Sequence, residues 1–331
     1  MQMTIDKRPT VALIWGGRGY EKNVSRAGME NILPLIDENT YRVLSVHIEP
    51  DGRWTLNGKE LLLSRGGIIA DGKFIKVDCA FPLLHGDFGE DGRVQGALDC
   101  SEISYVGCNT EASALCRDKS VVKAVAKSLG IPTLPHILAL RGERTRDIIA
   151  KCEREIGYPA FVKPTSLGSS VGASEANGRR ELFSAIRRAF ELCDRIIIEK
   201  CLSPKRELEC GFLSIKGKEL FTKCGEVLCN SFYSYDKKYS SPEIKVCPVA
   251  EVGCEINRKI SDYSRMLVRA LGVRDLSRID FFLSGEELYF NEINTMPGQT
   301  SGSLYPKMIE AAGIPTGRLV NLLIEEALCS R

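Results

Sequence analysis

Arg278, Asp280, Glu292 and Asn294 are the residues of this 331-residue chain whose types and spacing most directly suggest chemistry. Each pair is two apart, the period at which strand side chains return to one face, and Ser284 with Gly285 lies between the pairs as a turn signal. With residues 285–287 as the loop, Asp280 falls opposite Glu292 and Arg278 opposite Asn294. All four then project together, while Ile279, Phe281 and Ile293 project the other way. Two carboxylates and an amide oxygen gathered on one face repel unless a hard cation neutralises them. Oxygen-only ligands suit Mg²⁺, which leaves coordination positions for substrate phosphates. The competing reading is a solvated polar strand face.

Other segments must position this hairpin and supply a substrate. In the first third, strand and helix patterns alternate: a buried strand at 10–15, a glycine turn at Gly16 and Gly17, a helix over 24–36 capped by Asn23, and strands at 41–48 and 77–84. This alternation predicts a doubly wound parallel sheet, whose ligands bind in loops at the carboxyl ends of strands, where 16–21 and 85–92 fall. A second unit begins near Asn109 with a helical stretch through Leu129. It continues with a strand at 160–164, a Gly-Ser loop at 168–172, a helix over 179–192 and a strand at 196–200. The last unit has β-rich segments at 207–215 and 219–227, an aromatic loop at 231–239, a helix over 254–271, the hairpin and a terminal helix.

Gly168, Ser169, Ser170 and Gly172 let backbone N–H groups fold over a phosphate, with Lys163 upstream supplying charge; a ligand-free surface turn is the alternative. Glu199 and Lys200 end a strand at a domain junction, where Lys200 could meet an adenine edge and Glu207 ribose hydroxyls, or where the pair could be a surface salt bridge. His85 follows a strand and precedes a helix-like stretch, an arrangement that favours anions; a structural histidine is the alternative. The loop holding Lys238 and Tyr239 has the length of a lid that excludes water, or its aromatics pack at an interface. Residues 294–304 leave the hairpin as a glycine- and hydroxyl-rich loop able to hold a carboxylate.

Forty-five basic and 43 acidic residues give a formal charge of +2, so no global field recruits nucleic acid or an acidic membrane. No apolar run approaches the ~18 residues that span a bilayer. Thirteen scattered cysteines, with no signal peptide and no C-x-x-C pair, fit a reducing cytoplasm, most of them as small buried apolar residues.

Taken in order, Gly16–Gly17 with Glu21 and Ser25, His85 with Glu90 and Gly92, Asp118–Lys119, Lys163 with the loop from Gly168 to Gly172, Glu199–Lys200, Lys238–Tyr239, Arg278 with Asp280, and Asn291, Glu292 and Asn294 with Gly298 resemble the D-alanine–D-alanine ligase family of the ATP-grasp superfamily over nearly the whole chain. The resemblance implies an α/β ATP-grasp fold: an N-terminal Rossmann-like domain (1–110), a central lid domain (111–200) and a C-terminal domain carrying the metal and substrate site (201–331), with ATP enclosed between the last two. It implies a cytoplasmic homodimer that joins two D-alanines through an acyl phosphate for peptidoglycan synthesis.

By the same resemblance, Lys119, Lys163, Gly168, Ser169, Ser170, Glu199, Lys200, Glu207 and Lys238 would line the nucleotide site. Asp280, Glu292 and Asn294 would hold two Mg²⁺ ions, with Mn²⁺ as a substitute. Arg278 and the Gly298 N–H would stabilise the oxyanion. Glu21 would take the first substrate's ammonium and connect with Ser169 and Tyr239, while Ser303, Leu304 and His85 would meet the second substrate. The Lys238–Tyr239 pattern and an apolar residue at 304 point to D-alanine in both positions. The chain departs from the family at Arg18, Gly19 and Tyr20, a segment that commonly holds serine, and at Gly302, a position often held by histidine. Two other readings remain: another ATP-grasp carboxylate–amine ligase, such as a D-alanine–D-serine ligase, or a nucleotide-binding module without catalysis. A Rossmann oxidoreductase built on Gly16, Gly17 and Gly19 would lack the third glycine of its fingerprint.

Overall fold

The computed structural model describes residues 6–19, 21–228 and 245–329. The first part of the chain runs β1 (Thr10–Gly16), α1 (Lys22–Ile32), a 3-10 turn (Leu33–Leu35), β2 (Arg42–Ile48), β3 (Trp54–Leu56), β4 (Lys59–Ser64), β5 (Gly67–Ala70), β6 (Lys73–Lys76), β7 (Cys79–Pro82) and α2 (Arg93–Cys100). The sheet order is β6-β5-β4-β3-β2-β1-β7. β1 pairs in parallel with both β2 and β7, and its continuous apolar run, Val11 to Ile14, is buried as such a central strand requires.

The expected parallel sheet is confined to those three strands, because β3 to β6 form an antiparallel meander. Asn57–Gly58 and Asp71–Gly72 turn its hairpins with both residues at positive φ (53° and 76°, 51° and 69°), the two-residue geometry that Asn-Gly and Asp-Gly favour. Helix α1 also differs from expectation. Glu21, not Asn23, sits at its N-cap, and Pro34 ends it early in the 3-10 turn.

The middle part comprises α3 (Thr110–Arg117), α4 (Lys119–Ser128), β8 (His136–Leu140), α5 (Thr145–Glu155), β9 (Ala160–Pro164), β10 (Ser174–Ala176), α6 (Arg179–Leu192) and β11 (Arg195–Lys200). Its antiparallel sheet has the order β10-β9-β11-β8. The single helical stretch expected here is two helices. Asn109 caps α3 by accepting from the Ala112 N–H at 2.9 Å, and Asp118 breaks the run and caps α4 through the Ser120 and Val121 N–H groups.

The last part comprises β12 (Arg206–Ile215), β13 (Lys218–Phe221), β14 (Gly225–Leu228), β15 (Lys245–Cys247), α7 (Cys254–Ala270), β16 (Leu276–Ser284), β17 (Glu287–Asn294), α8 (Leu304–Ala311) and α9 (Thr316–Cys329). Its sheet runs β15-β14-β12-β16-β17, with β13 beside β12. The apolar face of the β16–β17 hairpin (Ile279, Phe281, Phe290, Ile293) packs with Val122 and Ala126 of α4 and with Ile260 and Leu267 of α7 in one core. The polar face is thereby fixed in the opposite direction.

Among the described residues no helix is long and apolar enough to cross a membrane. Twelve cysteines lie among the described residues. Only half of them are buried, fewer than the sequence suggests, and Cys100, Cys254 and Cys329 are exposed.

Candidate active site

The hairpin register agrees with expectation where it matters and differs where it does not. Arg278 pairs with Asn294 and Asp280 with Glu292, but the turn has two residues rather than three, so Ser284 pairs with Glu287. A β-bulge beside Asp280 absorbs the difference: Phe281 faces Phe290, and Asn291 is the extra residue. The bulge keeps all four polar residues on one face and turns the Asn291 side chain toward Lys163, whose Nζ donates to Asn291 Oδ1 at 3.2 Å.

That face lines a cleft of about 500 Å³ between the hairpin sheet, the Gly168–Gly172 loop and the loops after β1 and β7. Arg278 donates from Nε and Nη2 to the two oxygens of Asp280 and lies 3.2 Å from Glu209 Oε2. Burial alone would lower the Arg278 pKa, but Asp280 and Glu209 outweigh it and hold the guanidinium firmly charged. Glu209, cross-strand from Asp280, is a site residue the sequence reading missed; its spacing of two from Glu207 was the available signal.

Across the cleft is a second charged cluster. Lys119 opens α4, so its Nζ reaches Glu292 Oε2 at 3.2 Å and donates to the Leu167 carbonyl at 2.9 Å. One turn on, Lys123 is fully buried and pairs with Glu199 Oε1 at 2.9 Å, while Lys163 pairs with Glu199 Oε2 at 2.7 Å. Burial would raise the carboxyl pKa of Glu199, yet the two lysines hold it down at about 2. Burial also opposes ionisation of Glu292; Lys119, then Lys163 and Arg278, keep it well below the usual carboxylate range. Lys123 was not expected from the sequence, although its spacing of four from Lys119 puts both amines on one side of α4.

Glu199 and Lys200 do not form the surface pair that was the alternative reading. Glu199 is the shared anion of a buried triad, and Lys200 donates to the Tyr158 carbonyl at 2.8 Å. Neither side chain is among those lining the cleft, whereas Glu207, paired with Lys205 at 3.0 Å, is.

At the far end, the loop after β1 meets the loop after β7 and the Gly-Ser loop. Glu21, at the N-cap of α1, makes no cap hydrogen bond with its side chain; its carboxylate instead accepts from Ser169 Oγ. Ser169 and Ser170 both adopt positive φ (50° and 61°), a backbone strain of the kind concentrated at binding loops. A Cβ at Gly168 would lie 3.2 Å from Arg117 Nη1 and 3.4 Å from Glu21 Oε2, so the glycine keeps that corner open. Ser25 ties the two β-loops together by accepting from the Gly16 N–H at 2.8 Å and donating to the Leu83 carbonyl at 2.6 Å. His85 is buried 3.7 Å from Glu90, and its Nε2 has no hydrogen-bond partner among the described residues.

The remaining wall is the loop from Thr295 to Ser303. Ser303 Oγ bonds Thr300 through its N–H (3.1 Å) and its hydroxyl (2.8 Å), and a Cβ at Gly298 would lie only 2.7 Å from Ser303 Oγ. Leu304 lines the cleft but is buried in the core with Tyr305 and Met308; Gly302 also lines it. Lys238, Tyr239 and Tyr20 lie outside the described residues.

Asp280, Glu292 and Asn294 offer only oxygen donors, two of them charged, which fits a hard divalent cation such as Mg²⁺. Among the described residues no group of three or more His, Cys, Asp or Glu side chains could hold a metal ion by itself. A cation here would therefore depend on the amide and on ligand oxygens as well.

Comparison with known proteins agrees along the chain. The model of the D-ala D-ala ligase C-terminus matches residues 125–325, and that of the N-terminus matches residues 10–108. The D-alanine--D-alanine ligase of Deinococcus radiodurans is 37% identical over 97% of this chain and 99% of its own length; that of Chlorobium phaeovibrioides is 35% identical, covering 97% and 98%. Among solved structures, D-alanyl-alanine synthetase A from Vibrio cholerae superposes with a TM-score of 0.89 at 30% identity over 98% of this chain and 99% of that one. The VanG D-Ala:D-Ser ligase from Enterococcus faecalis gives 0.88 at 29% identity over 97% and 100%. An ATP-grasp fold with its charged hairpin, lysines and glycine loop around one cleft, and matches spanning nearly the full length, place this chain in the D-alanine–D-alanine ligase family.

Proposed function

We propose that the chain joins two D-alanines with ATP as the driving co-substrate, releasing D-alanyl-D-alanine, ADP and phosphate. The observation that carries this reading is the shared cleft face of Arg278, Asp280, Glu292 and Asn294, opposed by Lys119 and Lys163. ATP lies between the sheets of the middle and last parts of the chain, with Lys119, Lys163, Lys238 and the backbone of Gly168, Ser169 and Ser170 toward its phosphates. Glu207 serves the adenosine end, Lys200 supports that end from outside the cleft through the Tyr158 carbonyl, and Glu199 acts by fixing Lys163. Asp280, Glu292 and Asn294 hold Mg²⁺, which when bound neutralises phosphate charge.

The first D-alanine is held by its ammonium on Glu21, with Ser169 and Tyr239 completing that corner. Its carboxylate oxygen attacks the γ-phosphorus and the bond to ADP breaks, giving an acyl phosphate. The amine of the second D-alanine, placed by His85, Ser303 and Leu304, attacks the carbonyl carbon. The resulting oxyanion is stabilised by Arg278 and the Gly298 N–H, donors worth about 3 to 4 kcal/mol each in such sites. Collapse breaks the carbon–oxygen bond to phosphate and leaves the amide, and the expelled phosphate takes up the amine proton. The division into domains 1–110, 111–200 and 201–331, a cytoplasmic location and a homodimer belong to the same proposal.

The test is incubation of the purified protein with Mg-ATP and D-alanine, alone and with D-serine, reading dipeptide mass and ADP. D-alanyl-D-alanine as the main product supports the reading. A product dominated by D-alanyl-D-serine would replace it with the activity for which the VanG D-Ala:D-Ser ligase is named.

A further inference from the structure

Arg117, the last residue of α3, has its side chain 9% exposed and lines the cleft beside Glu21. Its Nη1 donates to Glu90 Oε2 at 2.6 Å, and its Nη2 lies 3.5 Å from Asp87 Oδ1. A Cβ at Gly86 would lie 2.5 Å from Glu21 Oε2 and 3.9 Å from Arg117 Nη2, so carboxylate and guanidinium flank the same glycine. Arg117 Nε is buried with no hydrogen-bond partner among the described residues, a cost that an apolar side chain of similar length would not carry. Neutralising buried Glu90 accounts for one edge of the guanidinium but not for the unpartnered Nε.

A reason lies in the charges. Glu90 is buried and Glu21 is half-buried in the same corner, and neighbouring like charges there cannot both ionise cheaply. We propose that Arg117 is a positioning residue for the first amino-acid subsite: clamped by Glu90 and Asp87, it keeps Glu21 charged and in place to grip a substrate ammonium. The inference rests on the reading of Glu21 given above and deepens it. The groups facing Glu21 are Ser169 from the Gly-Ser loop, His85 and Glu90 from the loop after β7, and Arg117 from α3. Burial and then Glu90 push the Glu21 carboxyl up, while Ser169, His85 and Arg117 pull it back. Removing Arg117 therefore moves Glu21 toward its neutral form, and removing Glu90 moves it the other way.

The experiment is steady-state kinetics with Mg-ATP and D-alanine from acidic to neutral buffer, with the first-site KM resolved from the second. Arg117→Met is expected to raise the first-site KM about tenfold in acidic buffer and to shift the acid limb of kcat/KM upward by about one pH unit, with kcat at saturation changed less than about threefold. Arg117→Lys keeps most of the wild-type profile. Glu90→Gln added to Arg117→Met brings the acid limb back down, an effect a purely structural role would not produce. If Arg117→Met does not fold, Glu90→Gln alone carries the test by shifting the limb downward. A KM raised equally at every pH with no rescue, or an unmoved limb in Glu90→Gln, overturns the proposal. Glu21→Gln separates the two layers: an unchanged first-site KM there removes the reading of Glu21 itself, whereas a raised KM there with a wild-type profile in Arg117→Met removes only the role of Arg117.

Discussion

Arg278 and Asp280, two residues apart on β16, are joined by a fork: Nε to Oδ1 at 2.8 Å and Nη2 to Oδ2 at 2.7 Å. The fork fixes the plane of the guanidinium at the cleft wall before any substrate arrives, so its charge needs no reorganisation during reaction. Arg278→Ala should lower kcat about a hundredfold while nucleotide affinity, read by fluorescent ATP-analogue titration, stays within a few-fold. Equal losses in affinity and turnover would assign Arg278 to ground-state binding instead.

Glu292 faces Lys119 at 3.2 Å and is paired cross-strand with Asp280. Glu292→Gln keeps the shape and removes the charge, so the Mg²⁺ concentration for half-maximal ADP release should rise about tenfold or more. A metal titration superimposable on wild type would exclude Glu292 as a ligand.

Glu199 is 2% exposed and is shared by Lys123 and Lys163. Glu199→Gln leaves two buried ammonium groups facing each other and should cost about 3 to 5 kcal/mol of stability, read by urea denaturation. A loss under about 1 kcal/mol would show that the triad is open to water and not the anchor of Lys163.

Asp275 accepts the Gly107 N–H at 2.8 Å where the chain enters β16. Burial raises its carboxyl from 3.8 to about 6, with the Gly107 N–H and Arg274 opposing. The folded protein thus binds this proton more tightly than the unfolded chain. The contribution is fully present below 3.8 and is lost as the pH rises through about 6. Asp275→Asn keeps the acceptor and removes the titration. The wild type should therefore lose about 3 kcal/mol relative to that variant across this window. Parallel stability-against-pH curves for the two proteins would contradict it.

Much of the site was legible because it obeys short periods. Alternation in β16 and β17 placed Arg278, Asp280, Glu292 and Asn294 on one face, and the ordered motifs from Gly16 to Gly298 gave the family. The bulge at Asn291 was not legible, because a three-residue loop and a two-residue turn plus a bulge give the same register at the active end. Lys123, Glu209 and Arg117 were missed because a buried charge has the same letter as a solvated one; only the partners, distant in sequence, distinguish them. The antiparallel meander was legible in principle, since Asn57–Gly58 and Asp71–Gly72 are strong hairpin signals that the alternation of larger elements obscured.

The most direct test of the central claim follows an atom. D-alanine labelled with heavy oxygen in its carboxylate is turned over with Mg-ATP, and the released phosphate is analysed by mass. Activation of a carboxylate at this hairpin predicts one labelled oxygen per phosphate, carried across when the acyl phosphate collapses. Phosphate released without label, with dipeptide still formed, would contradict it.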